Sequence, residues 1–240
     1  MRLLFIRHGD PDYENDTVTE KGAREIEFLA DRLAKERIDE FYISPLGRAQ
    51  VTARATLSRL RRTGETLGWL REFDAFAKMP VTGEMHHIWD FMPSFMEEHP
   101  ALYSADEWLK EPFFAASEVP MRYAQVCGGL DDLLYAHGYL RKGNHYVAVN
   151  ANRKTLAFFC HLGATGVLLS HLLHMSPVAF LQHFAAAPSS VTSVYTEERE
   201  KGIVSFRCSC YGDISHLYAK GEAPSFSARF CETYDSDERH

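Results

Sequence analysis

Leu3-Leu4-Phe5-Ile6-Arg7-His8-Gly9-Asp10-Pro11 is the stretch that decides the fold class. A short, unbroken apolar run is what a strand buried on both faces of a parallel sheet requires, and here it stops at a polar loop with two breakers, Gly9 and Pro11. Thr19-Glu20-Lys21-Gly22 then opens a helix. Thr19 is its N-cap, and Ala23, Ile26, Leu29, Ala30 and Leu33 recur every three to four residues along one face. Phe41-Tyr42-Ile43, closed by Ser44-Pro45, reads as a second strand. A helix follows from about Gly47 to Arg61, and a third strand falls near Thr66 to Leu70. This alternation predicts an α/β domain: three layers, α/β/α, around a mainly parallel central sheet.

The rhythm breaks from about Ala75 to Val119. Pro80, Pro93, Pro100 and Pro112 punctuate a segment rich in aromatics, among them Trp89, Phe91, Trp108, Phe113 and Phe114. It reads as an inserted helical lid at about 75–119 in one domain spanning 1–240, with a plain packing extension as the alternative. A helix is expected from Val119 to His137. Tyr146 to Val149 and Thr155 to Cys160 read as strands paired through a turn at Asn150 to Lys154. A helix follows His161, and Val191 to Tyr195 and Ile203 to Cys208 are late strands. The polar tail after Ala219 is expected to be loose.

The 240 residues carry 45% hydrophobic and 25% charged side chains, enough apolar material for a real core. A formal net charge of -7 argues against nucleic acid or an acidic membrane as partner, while leaving room for a basic pocket. No run approaches the roughly 18 apolar residues of a membrane span, and the leading apolar run is too short for a signal peptide. Cys127, Cys160, Cys208, Cys210 and Cys231 form no even framework, so reduced thiols and a cytoplasmic location are expected. Twelve histidines raise the question of a metal, with His86-His87 and His171/His174 the densest groups. No H-E-x-x-H or C-x-x-C accompanies them, and no metal is expected.

The chemistry-bearing residues fall at strand ends. Arg7 and His8 follow the first strand, Ser44 and Arg48 the second, Glu72 the third, and His161 the strand ending at Cys160. Open α/β sheets bind ligands outside the carboxyl ends of their strands, so these side chains from distant positions are expected in one crevice. Two arginines and two histidines there suit a dianion. Arginine presents a planar fork that matches phosphate oxygens and keeps its charge. A neutral histidine has one ring nitrogen free to attack once the other is held by a hydrogen bond.

The set Phe-Ile-Arg7-His8-Gly9, Thr19-Glu-Lys-Gly22, Ser44-Pro-Leu-Gly-Arg48-Ala-Gln-Val-Thr52-Ala, Leu-Arg-Glu72 and Cys-His161-Leu-Gly163 resembles the histidine phosphatase superfamily, phosphoglycerate-mutase-like branch. The resemblance implies that His8 is the phosphorylated nucleophile and that Arg7 and Arg48 clamp the phosphoryl oxygens. It implies that His161 donates a hydrogen bond to the transferring group, and that Glu72 protonates the leaving oxygen and later activates water. Neither metal nor organic cofactor is implied. Glu84 and Asp90 are rivals for the acid, and Asn15 is a further candidate for the phosphate pocket. Leu162 intervenes between His161 and Gly163 where the family often has glycine directly, and the Asp10–Val18 loop lacks the arrangement of the glycolytic mutases. A metal-independent phosphatase acting on a small phosphomonoester is therefore the leading reading. A cofactor-primed phosphomutase and a non-catalytic phosphoester-binding module are the alternatives, and a homodimer through an apolar lid strip stays open.

Overall fold

The computed structural model describes residues 1–80, 82–89, 91–227 and 232–238. The chain runs through β1 (Arg2–Arg7), a small hairpin β2 (Pro11–Asp12) and β3 (Thr17–Val18), α1 (Glu20–Leu33), β4 (Glu40–Ile43), α2 (Gly47–Leu60) and β5 (Glu65–Thr66). A second hairpin, β6 (Phe76–Lys78) and β7 (Met85–His87), leads into α3 (Pro93–Glu98), α4 (Pro112–Ala115) and α5 (Val119–Ala136). Then come β8 (Tyr139–Lys142), β9 (His145–Ala148), β10 (Thr155–Cys160), α6 (Leu162–Leu173), α7 (Pro177–His183), β11 (Val191–Glu200), β12 (Ile203–Asp213) and α8 (Ser215–Tyr218).

The main sheet has the order β5-β4-β10-β1-β11-β12-β9-β8. Its first four strands are parallel. From β1 onward every ladder is antiparallel. The sheet is thus mixed, and the expected parallel arrangement holds for the half that carries the strand-end residues. The cause is local. Two-residue loops, Gly143-Asn144 and Lys201-Gly202, join β8 to β9 and β11 to β12. Gly143 and Gly202 take positive φ there (59° and 79°), and so tight a reversal permits only antiparallel neighbours.

Alternate residues of the parallel strands feed separate cores, as the two-residue period dictates. Leu4, Ile6, Phe41, Ile43, Ala157 and Phe159 pack with Leu29 and Leu33 of α1 and Ala53 of α2. Leu3, Phe5, Tyr42, Leu156 and Phe158 pack with Leu130 and Leu134 of α5 and Val167 and Leu168 of α6. Phe158 stacks on Phe5 at 5.1 Å and on Tyr42 at 5.3 Å, so one aromatic row crosses three adjacent strands. Each such buried ring contributes roughly 2–3 kcal/mol of transfer free energy.

Three expectations need correction. Thr66 to Leu70 is not one strand: β5 ends at Thr66, and Gly68–Leu70 is a 3-10 turn. The turn lays Trp69 on α5 at Gly129, where a Cβ would meet the indole at 2.6 Å. Second, β9 and β10 are not partners. β9 pairs with β8 and β12, whereas β10 lies between β4 and β1. Third, residues 222–227 are tied down. Glu222 pairs with Lys21 (2.8 Å) and Arg24 (3.3 Å), and Ser225 Oγ donates to Asp10 Oδ1.

Of the aromatics between β7 and α5, Phe91, Trp108, Phe113 and Phe114 are buried in the larger core. Among the described residues, no helix is long and apolar enough to cross a membrane.

Candidate active site

Three neighbouring parallel strands end side by side. The ladder continues one residue past each: His8 N donates to Cys160 O (3.1 Å) and Ser44 N to Phe159 O (2.9 Å). Ser44, His161 and His8 therefore leave the sheet in adjacent positions, with His161 on the middle strand. The His8 carbonyl accepts a hydrogen bond from Ser189 N at 2.8 Å, so the residue is held from both sides.

His8 is buried, and its Nδ1 lies 2.8 Å from Gly9 O. A carbonyl only accepts, so Nδ1 carries the proton and Nε2 keeps its lone pair. Burial first, then the charges of Arg7 and Arg48, push the imidazole down to about 3, which leaves it neutral at physiological pH. The His161 ring sits 5.1 Å away, centroid to centroid. Burial, then His8, Arg48 and Arg7, hold it well below the ordinary histidine range.

Arg7 is buried and donates through Nη1 to Ala186 O (2.5 Å) and Ser227 O (3.2 Å). Arg48 opens α2, donates through Nη1 to Asp16 Oδ1 at 2.6 Å, and lies over the Tyr13 ring at 5.3 Å. Among the described residues, Arg7 Nε, Arg48 Nε and His161 Nδ1 are buried with no hydrogen-bond partner. Buried polar groups are ordinarily paired, because an unpaired one costs about 1–3 kcal/mol. Two of these groups belong to arginines whose charge acts on His8 and the third to the ring beside it, a charge setting that suits an anion.

Glu72 follows the 3-10 turn. Its Oε1 accepts from Phe73 N (2.8 Å) and from Ala164 N in the first turn of α6 (2.9 Å). Burial raises its carboxyl above the usual range, against the pull of those two N–H groups and of Arg7 and Arg48. Trp89 shares the spot: a Cβ on Gly163 would meet Glu72 Oε1 and Trp89 Cζ3, each at 2.7 Å. Trp89 is backed by His87, stacked at 4.4 Å. A carboxyl raised above its ordinary range, an unprotonated histidine nitrogen and two guanidinium groups thus act on one another at the strand ends.

Other sequence candidates lie elsewhere. The Asn15 amide donates to Asp12 Oδ2 at 2.9 Å on an exposed loop. Glu84 is exposed in the β6–β7 hairpin, 3.6 Å from His86. Asp90 and Cys231 fall outside the described residues. His171 is bound by Asp131 (3.0 Å) and His174 by Asn144 (3.0 Å), each away from the strand ends. The four described cysteines are free thiols. An open groove lined by Phe76, Lys78, Met85 and Phe113 contains none of the converging residues.

Sequence reading missed Asp16, the Tyr13 ring and the carbonyls of Ala186 and Ser227; it placed Ser44 at the strand end without its bond to the second histidine, Oγ lying 2.6 Å from His161 Nε2. Asp16 and Tyr13 stand in a polar loop, where nothing distinguishes them from solvent-facing residues. A carbonyl carries no signal in sequence at all.

Residues 3–111 match the histidine phosphatase superfamily (branch 1). Phosphoserine phosphatase 1 of Hydrogenobacter thermophilus is 21% identical over 226 residues, covering 88% of this chain and 94% of that one. Among solved structures, a phosphoserine phosphatase mutant from Entamoeba histolytica in complex with phosphoserine superposes with a TM-score of 0.60 at 18% identity, over 90% of this chain and 98% of that one. A mycobacterial glucosyl-3-phosphoglycerate phosphatase gives 0.58 at 17% identity, over 88% and 98%. These structures share the fold.

Proposed function

We propose that this chain, whose residues 3–111 match the histidine phosphatase superfamily (branch 1), is a phosphatase that hydrolyses a small phosphomonoester through a phosphohistidine on His8, with no metal taking part. The observation that carries the reading is the trio of buried, unpartnered donors, Arg7 Nε, Arg48 Nε and His161 Nδ1, around a neutral His8. A phosphoryl group would satisfy all three.

In the first step the lone pair on His8 Nε2 attacks phosphorus and forms a P–N bond, while the ester P–O bond breaks. The leaving oxygen takes the proton of the Glu72 carboxyl. In the second step the Glu72 carboxylate removes a proton from water. The hydroxyl oxygen attacks phosphorus, the P–N bond returns its electrons to Nε2, and inorganic phosphate departs. Charge on the equatorial oxygens peaks in each transition state, and Arg7, Arg48 and His161 stabilise it there. Asn15 is the outermost phosphate contact in this reading, reached when its amide leaves Asp12.

The segment at about 75–119 is read as the lid of a single domain with three layers. Trp89, which a Cβ on Gly163 would meet together with Glu72, shields the acid from water in this reading. The relatives' phosphoserine and glucosyl-phosphoglycerate substrates make carboxylate-bearing phosphomonoesters the first class to screen. Free thiols suit a reducing compartment.

The test is hydrolysis of an aryl phosphate in excess EDTA by the native protein and by His8→Ala. Turnover that survives chelation and disappears in the variant supports the proposal. Loss of turnover on chelation, or its persistence in the variant, overturns it. Transfer of phosphate between positions of a phosphoglycerate, with no net release, would shift the reading to a mutase.

A further inference from the structure

Ser44 has no part in the chemistry written above, yet it is fully buried against one of the site's histidines. Its Oγ lies 2.6 Å from His161 Nε2 and accepts from Leu46 N at 3.3 Å. The backbone around it is fixed: Ser44 N donates to Phe159 O, and Ser44 O accepts from Gln50 Nε2 at 2.7 Å. The hydroxyl is therefore held at the end of a strand and the start of a helix.

A neutral imidazole carries its proton on one nitrogen only. Were it on Nε2, Ser44 Oγ would accept from both Leu46 N and His161. Its own hydrogen would then be buried with no acceptor among the described hydrogen bonds. Were it on Nδ1, the hydroxyl would accept from Leu46 N and donate to Nε2, and every atom of the pair would be satisfied except Nδ1–H. Nδ1 is buried without a partner among the described residues in either case, so this tautomer leaves one unmet group where the other leaves two. Beside two guanidinium groups, an N–H completes a set of donors, whereas a bare lone pair would repel the anion those groups attract.

We propose that Ser44 is a positioning residue that sets the tautomer of His161, presenting Nδ1–H as the donor to the phosphoryl group. The two histidines then carry opposite tautomers. His8 keeps Nδ1–H on Gly9 O and offers Nε2 as nucleophile, while His161 gives its Nε2 lone pair to Ser44 and offers Nδ1–H. One ring is set to attack and the other to donate, so they do not compete for one role. What the donor meets rests on the phosphatase reading; the tautomer itself does not.

The experiment is a long-range ¹H–¹⁵N correlation spectrum of the protein with ¹⁵N-labelled histidine, His161 being identified by the signals missing from His161→Gln. The expected native pattern is the neutral Nδ1–H tautomer across pH 5 to 8. A neutral Nε2–H pattern overturns the proposal without any variant of Ser44. In Ser44→Ala the tautomer preference should be lost and kcat on an aryl phosphate should fall on the order of ten- to a hundred-fold, with KM much less affected. Ser44→Thr keeps the hydroxyl and should restore both. An unchanged His161 signal in Ser44→Ala would remove Ser44 from the role. Absence of turnover in the native protein would count against the phosphatase reading alone, because the spectrum still decides the tautomer.

Discussion

Asp16 grips Arg48 and the helix that carries it at the same time: Oδ1 accepts from Arg48 Nη1 at 2.6 Å, and Oδ2 accepts from Gly47 N at 2.6 Å. The carboxylate stands at the N-terminus of α2, where the helix dipole favours negative charge, and orients a guanidinium whose Nε is left open. Asp16 has a φ of +46°, a conformation that Asn and Asp accept more readily than other side chains. Asp16→Asn should therefore fold normally and lower kcat/KM by roughly tenfold, as Arg48 loses its fixed ion pair. Asp16→Ala should lose the same activity and also melt lower. Steady-state kinetics beside thermal melts check this; equal melting of the two variants would deny backbone strain at this position.

The first step needs Glu72 protonated and His8 neutral. Glu72 is raised above the carboxylate range, so kcat/KM should fall as pH rises through that raised value. His8 is depressed to about 3, so no loss should appear near the usual histidine value as pH falls. The profile is then a plateau on the acid side with one alkaline decline. Glu72→Gln should lower kcat by about a hundred-fold or more and abolish that decline. An unaltered pH profile in the variant would move the acid elsewhere.

Gly163→Ala separates activity from stability. Alanine inside a helix is favoured over glycine by about 1 kcal/mol, yet its Cβ would meet Glu72 Oε1 and Trp89 Cζ3 at 2.7 Å. The variant should stay folded while kcat falls by roughly tenfold or more as Glu72 is displaced. Full activity would show that the carboxyl can shift at no cost.

Much of this arrangement could be read from residue order, because it depends on local pattern. Leu3–Ile6 and Thr155–Cys160 declare buried strands, Thr19 caps α1 through Gly22 N, and the reactive residues follow the strands. What escaped reading depends on distant partners. Trp69 turns the chain because Gly129, sixty residues later, offers it a flat seat. The antiparallel half of the sheet is set by two glycine loops that only pairing reveals. Burial of Glu72 comes from Trp89 and the start of α6, neither of which lies near it in sequence.

Glu25 provides a test of stability apart from catalysis. It is fully buried behind the His8 loop, with Oε2 accepting from Asp10 N at 3.0 Å and Oε1 unpartnered among the described residues. Burial raises its carboxyl from 4.5 to about 7. Between those values the folded protein holds a proton that the unfolded chain has lost. This group's contribution therefore weakens as pH rises, by about 1.4 kcal/mol per unit until pH passes about 7. The melting temperature should drop from pH 5 to pH 7.5, and Glu25→Gln should flatten that slope. An identical slope in the variant would mean that Glu25 titrates normally.

Arg7 takes one of its two carbonyl acceptors from Ser227, 220 positions further along. A ribosome makes Arg7 long before it makes the Ser227 brace. A nascent chain that has already folded β1 against β10 still lacks that brace. The bracing of the cation beside His8 is in this sense timed by synthesis: its bond to Ser227 forms only after residue 227 has emerged.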